Sequence, residues 1–159
     1  MQATEAKQSV WPLLAWVLLP FTAAAMGAWF RPDGWFAALA KPEWNPPSWL
    51  FGPVWTALYL LMGVAAALVW RTGRGHARQR ALAAFCVQLV VNALWTPVFF
   101  GLHSPGGALA VIVLLWLLII VTLLQFWRVH RFAAALLVPY LAWVSFAMAL
   151  NAAIWQMNS

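Results

Sequence analysis

The nine basic and three acidic residues of this chain fall into four short segments, and the uncharged stretches they leave constrain its fold more than any motif does. The segments hold Glu5 and Lys7; Arg31, Asp33, Lys41 and Glu43; Arg71, Arg74, Arg78 and Arg80; and Arg128 and Arg131. Five uncharged windows remain, residues 9–30, 48–70, 81–101, 105–127 and 132–156. Each reaches the roughly 20 residues that an α-helix needs to cross the hydrocarbon of a bilayer. A spanning β-barrel would show short alternating segments, whereas LLWLLIIVTLLQFW and LAWVSFAMALNAAIW are continuously apolar. With 65% hydrophobic and 8% charged residues, the chain is too apolar for a soluble domain of its length. The expected fold is an all-α membrane protein: one domain over residues 1–159, built as a five-transmembrane-helix bundle with one long loop at 31–47.

The first window also fits a cleaved signal peptide, because Lys7 precedes an apolar stretch that reaches Ala23, Ala24 and Ala25. Its run continues through Met26, Gly27, Ala28, Trp29 and Phe30, which suits a retained span better. Five spans put the two ends on opposite sides. The N-terminal side collects Lys7, Arg71, Arg74, Arg78, Arg80, Arg128 and Arg131, against Arg31 and Lys41 on the other. The positive-inside rule, in a membrane to which it applies, then expects a cytoplasmic N-terminus. The formal net charge of +6 needs no nucleic acid; arginines flanking spans, with no soluble basic domain, read as lipid headgroup anchors. Cys86, alone, allows no internal disulfide and reads as a small packing residue.

The loop at 31–47 ends in an unusual stretch, KPEWNPPSW at 41–49, with prolines at 42, 46 and 47. Ser104 and Pro105 form a helix-start signature ahead of the fourth window. Pro53, Pro97 and Pro139 fall inside spans, where each removes a backbone donor and bends its helix, leaving room for an internal cavity. Ala23 and Gly27, Gly63 and Ala67, and Ser145, Ala149 and Ala153 recur at the spacing that lets helices approach closely.

No charge lies within a span, which argues against an ion-driven pump and removes the usual acids and bases from the interior. His76 and His130 fall on one side and His103 on the other, so they form no three-ligand metal site. Each reads as a loop residue, with a single axial haem ligand as the alternative. The interior is instead aromatic and neutral polar. Gln88, Asn92 and Trp95 share one helical face, as do Trp55, Tyr59 and Met62; Trp143, Ala147, Asn151 and Trp155 make a third stripe. Carboxamides must face inward, either as helix glue or as part of a site for a flat, largely apolar ligand. Of the 13 tryptophans, Trp11, Trp29, Trp70, Trp127 and Trp155 suit an interface belt. Trp16 and Trp116 lie deeper with no polar neighbour in view. Trp35, Trp44, Trp49 and Trp55 cluster in and just after the loop, too many on one side for a belt.

RPDGWF, KPEWNPPSW, GPVWTALYLLMG, QLVVNALWTPVFFG and VPYLAWVSFAMALN, in that order from Arg31 to Asn151, make the chain resemble the TspO/MBR family: translocator proteins, tryptophan-rich sensory proteins or peripheral benzodiazepine receptors. The resemblance implies a five-helix bundle, usually a homodimer, that binds porphyrins such as protoporphyrin IX and, in many members, cholesterol and benzodiazepine-type ligands. Its pocket opens toward the first loop. Matched by motif, the pocket residues are Trp55, Tyr59, Asn92, Trp95, Trp143 and Ala147, with Trp35, Phe36 and Trp44 in the lid; Gln88 joins them from the helical pattern. The loop prolines would stiffen that lid, since each fixes its own φ and restricts its predecessor. No resident cofactor is implied, the tetrapyrrole being a ligand. The family's C-terminal sterol pattern needs a tyrosine and then a basic residue, and LNAAIWQMNS has neither, which puts sterol binding by that route in doubt. The leading expectation is a receptor or carrier for tetrapyrroles with a regulatory role in porphyrin metabolism or stress response. The alternatives are light-dependent porphyrin breakdown using Trp55 and Trp143, and a membrane interaction protein whose pocket is incidental.

Overall fold

The computed structural model describes residues 9–159, and five of its helical runs are long and apolar enough to cross a membrane: Trp11–Trp29, Ser48–Thr72, Gly75–Gly101, Pro105–Val129 and Arg131–Met157. These follow the uncharged windows closely and form an all-α bundle, with no strand among the described residues. Glu5 and Lys7 lie outside the described residues. The third run starts earlier than expected, at Gly75 rather than residue 81, so Arg78, Arg80 and His76 stand on a helix and not in a loop. An arginine's long side chain reaches the headgroup layer from helical backbone, so a charge need not end the helix. The connection shrinks to Gly73 and Arg74, and Gly75 takes φ +56°, a conformation that favours glycine.

Within the spans the elements are α1 (Trp11–Leu18), α2 (Phe21–Trp29), the loop helix α3 (Gly34–Ala38), α4 (Phe51–Thr72), α5 (Gly75–Thr96), α6 (Pro105–Val129), α7 (Arg131–Leu136) and α8 (Val138–Met157). A 3-10 turn at Ser48–Leu50 leads into α4, and a π-helical turn at Pro97–Gly101 ends the third span.

The prolines act unevenly. Pro53 sits in the first turn of α4, where its missing N–H has no intrahelical partner, so the bend expected there does not follow. Pro97 opens the π turn, whose widened step shows as Leu102 N–H donating to the Pro97 carbonyl at 2.9 Å. Pro139 starts α8 just after the turn at Leu137 that separates it from α7. Pro20, which had not stood out in the sequence, splits the first span, and the Thr22 hydroxyl donates to the Leu19 carbonyl at 2.7 Å across the break. That break lets the span change partner: α1 packs on α4, while α2 leans chiefly on α5.

The small residues work where helices touch. A Cβ at Gly63 would strike the Val17 backbone, so α1 and α4 meet there at glycine distance. Gly27 meets nothing within 4 Å and faces open space instead. Trp116, expected to lack polar neighbours, donates its indole N–H to Ser145 Oγ at 2.9 Å, joining α6 to α8. Trp16 packs on Trp70 and Phe85. The main core gathers Met62, Phe85, Phe126, Tyr140 and Val144; a second cluster around Phe99, Leu150 and Ile154 sits beneath the first loop.

Candidate functional site

Beneath residues 31–47, where α2 has left α4 for α5, the bundle encloses a cavity of about 950 Å³. Its walls come from α2, α4, α5, α6 and α8, and its roof from the loop. Trp55 and Tyr59 enter from α4, Asn92 and Trp95 from α5, and Trp143 and Ala147 from α8, all lining one space; Phe36 joins them from α3. Helical spacing explains the set, since each pair is one turn apart on a face turned inward.

Three of the sequence candidates do not line the cavity. Gln88 is fully buried one turn below Asn92. Trp35 stacks on His103, centroids 4.4 Å apart, and meets Phe99 edge-on; Trp44 lies edge-on against Phe146 and half exposed. These two indoles fasten the loop to the bundle beneath it. Phe36, Pro46 and Pro47 are among the loop residues that do line it.

A chain of hydrogen bonds ties three helices together at the cavity floor. Tyr59 O–H donates to Asn92 Oδ1 at 2.9 Å, Asn92 Nδ2 donates to Tyr140 Oη at 2.7 Å, and Tyr140 O–H donates to Gln88 Oε1 at 2.8 Å. Gln88 Nε2 ends the chain against Met62 Sδ at 3.9 Å. Nearer the mouth, Trp95 Nε1 donates to Asn151 Oδ1 at 2.9 Å, while Asn151 Nδ2 donates to the Pro105 carbonyl at 2.8 Å. The carboxamides are therefore helix glue, and Asn92 and Asn151 border the cavity as well. Against this satisfied background, the buried indole N–H of Trp143 has no partner among the described residues. An orphaned donor in such a wall is matched by a ligand acceptor or a water.

The loop is tethered at several points. Asp33 caps α3 by accepting from the Phe36 N–H at 3.2 Å, and its other carboxylate oxygen lies 3.2 Å from His103 Nε2. The Phe36 hydrogen bond above all holds the Asp33 carboxyl below its usual range; desolvation opposes it, and His103 adds to the lowering. Asn158 grips Ala40 with two bonds of 2.9 Å: its Oδ1 accepts from the Ala40 N–H, and its Nδ2 donates to the Ala40 carbonyl. Lys41 Nζ donates to the Leu39 carbonyl at 2.9 Å, lies 4.7 Å from the centre of the Phe36 ring, and lines the mouth with Asp33. Asn151, which the helical stripe of Trp143 and Ala147 had marked as glue or site, is both; Asn158 was missed because nothing in its spacing tells a tether from an ordinary helix-end amide. Phe51, which meets Trp143 edge-on at 5.8 Å, was hidden in a uniformly apolar run.

The TspO/MBR family model matches residues 16–156. Protein CrtK of Rhodobacter capsulatus is 45% identical over 139 residues, 86% of each chain. The tryptophan-rich protein TspO of Chlorobaculum tepidum is 48% identical over 130 residues, 80% of this chain and 82% of its own. The translocator protein of Homo sapiens is 37% identical over 152 residues, 92% of this chain and 90% of its own.

Proposed function

Because this chain belongs to the TspO/MBR family, an assignment that residues 16–156 carry, we propose that it is a membrane receptor or carrier for tetrapyrroles of the protoporphyrin IX type, with a regulatory role in porphyrin metabolism or stress response. Its five apolar spans and its family make it an integral membrane protein. The observation that supports the ligand class is the cavity of about 950 Å³ walled by Trp55, Trp95 and Trp143. That volume lies at the upper end of small-molecule sites, which are mostly apolar with a few convergent polar groups. The indole faces suit a flat aromatic macrocycle. The Trp143 N–H and the Lys41 ammonium at the mouth offer one neutral and one charged donor, the second fitted to a propionate. Titration of the purified protein with protoporphyrin IX and with a sterol, followed by tryptophan fluorescence, tests the reading. Saturable quenching by the porphyrin is expected. A non-saturable response would leave a membrane interaction protein with an incidental pocket.

A second reading, light-dependent porphyrin breakdown, is favoured by Trp55 and Trp143 both bordering the cavity. A photoexcited porphyrin would take one electron from an indole, leaving an indole radical cation and a porphyrin radical anion; molecular oxygen adds to that anion, the adduct returns the electron to the indole, and the resulting dioxetane cleaves a methine bridge into two carbonyls. Turnover by the pure protein in light, and none in the dark, separates this reading from simple binding. The proposed assembly is a homodimer, which crosslinking in native membranes tests.

A further inference from the structure

We propose that a second, smaller cavity at the opposite, arginine-rich face of the bundle is a site for one anionic lipid, its phosphate held by Arg71 and Arg78. The cavity, about 250 Å³, lies between the start of α1 and the turn joining α4 to α5, and its lining is Ser9, Pro12, Leu13, Trp70, Arg71 and Arg78.

Charge is the first argument. Arg71, Arg74, Arg78, Arg80, Arg128 and Arg131 all belong to the turns at this face, and Gly73 of one turn approaches the Val129 side chain beside the other. None of the six forms an ion pair among the described residues, whose acidic side chains, Asp33 and Glu43, belong to the first loop at the opposite end. Guanidinium groups gathered in this number make a positive field that attracts anions.

Geometry is the second. The Arg78 guanidinium lies 4.6 Å from the centre of the Trp70 ring and donates one N–H to the Trp70 carbonyl at 3.3 Å. This fixes the plane of the fork and leaves most of its five donors for a ligand. Arg71 makes no hydrogen bond among the described residues and stands in the last turn of α4. The next helix, α5, begins in the same turn with no side-chain cap, which adds the positive end of its dipole. Phosphate, with several oxygens for planar bidentate donors, fits this set, and the Ser9 hydroxyl adds a neutral donor.

The apolar side of the cavity separates a lipid from free phosphate. Pro12 and Leu13 give the cavity an apolar wall, and Trp11 beside them is 75% exposed, so an acyl chain can descend along α1 from a phosphate held at the rim.

The test uses the full chain in nanodiscs of phosphatidylcholine and phosphatidylglycerol, released into detergent and weighed by native mass spectrometry. The wild type should retain one phosphatidylglycerol about tenfold in preference to phosphatidylcholine. Arg71→Gln with Arg78→Gln should bring that ratio close to one, and Arg71→Lys should keep most of it. Far-UV circular dichroism and gel filtration check the fold; if the double variant fails there, Arg71→Gln alone, which breaks no bond among the described residues, should still lower the ratio severalfold. Arg128→Gln with Arg131→Gln is the control on the same face. An equal loss in that control would show diffuse attraction to a basic surface and overturn the site. Displacement of the lipid by millimolar inorganic phosphate would overturn the lipid assignment in favour of a free anion.

Discussion

Asn92→Leu is the most informative single change in the cavity floor, because Asn92 holds two tyrosines from two other helices. The substitution removes the bond from Tyr59 at 2.9 Å and the bond to Tyr140 at 2.7 Å. Cross-helix hydrogen bonds in a membrane average about 0.6 kcal/mol, so their direct loss is about 1 kcal/mol. The consequences for the partners differ. Tyr140 keeps its own donation to Gln88. Tyr59, almost wholly buried, is left with an O–H and no acceptor, at a cost of about 1–3 kcal/mol. The expected total is about 2–4 kcal/mol, the larger share of it carried by Tyr59. If so, Tyr59→Phe should remove much of the penalty, and the double variant should be more stable than the sum of the single changes predicts by about 1 kcal/mol. Unfolding in mixed micelles by increasing SDS, followed by far-UV circular dichroism, measures all four corners of the cycle. Additivity within about 0.3 kcal/mol would show that Asn92 does not hold Tyr59, and the hydrogen-bond chain would lose its central link. The same proteins go into the porphyrin titration. Weaker binding by Asn92→Leu is expected, and unchanged affinity beside lowered stability would confine Asn92 to joining helices.

Trp55→Phe with Trp143→Phe should slow light-driven porphyrin loss far more than it weakens binding; full photochemical activity in that variant, or breakdown by the wild type in the dark, would refute the indole-donor scheme. Gly63→Leu should destabilise the protein by about 2 kcal/mol or more, since its side chain must push the Val17 backbone away from α4, and an unchanged SDS midpoint would show that α1 is not packed there. Reporter fusions after residue 75 should report cytoplasm and fusions at Ser159 the outside, as the arginine asymmetry requires; the reverse pattern would overturn that orientation. Because the Asp33 carboxyl is held below its ordinary 3.8, its cap on α3 contributes fully above that value and is lost as pH falls beneath it. Amide protection across Gly34–Ala38, taken relative to the intrinsic exchange rate at each pH, should therefore fall once the pH drops beneath that value in the wild type and be low at every pH in Asp33→Ala.

The spans were legible because a bilayer allows few alternatives: an uncharged run of sufficient length must be helical, and charge marks its ends. The same logic misplaced the start of α5, since Arg78 and Arg80 read as loop when seen only as charges. Proline was harder. Pro20 and Pro53 look alike in a list of span prolines, yet one breaks a helix and the other starts one. The difference is whether the carbonyl four residues earlier already belongs to a helix, and that depends on where each helix begins.

The cavity shows a further limit. Helical periodicity put Trp55 with Tyr59 and Asn92 with Trp95 on inward faces, and the chain does bring them to one space. Periodicity fixes direction about an axis but not height along a neighbouring one. Gln88 shares its face with Asn92 but lies one turn too deep to border the cavity. The loop gives periodicity little to work on: Trp35 and Phe36 are neighbours on the five-residue α3, yet Trp35 stacks on His103 while Phe36 lines the cavity, and Trp44 lies against Phe146. An aromatic-rich loop rigid enough to roof a cavity needs side chains on both surfaces, one set as ceiling and one as anchors, and composition cannot say which indole serves which. The anchors here come from distant parts of the chain: His103, Phe146 and Asn158. Closure of the roof thus depends on the ends of the third and fifth spans, so changes at Asn158 should alter access to a cavity that residue never touches.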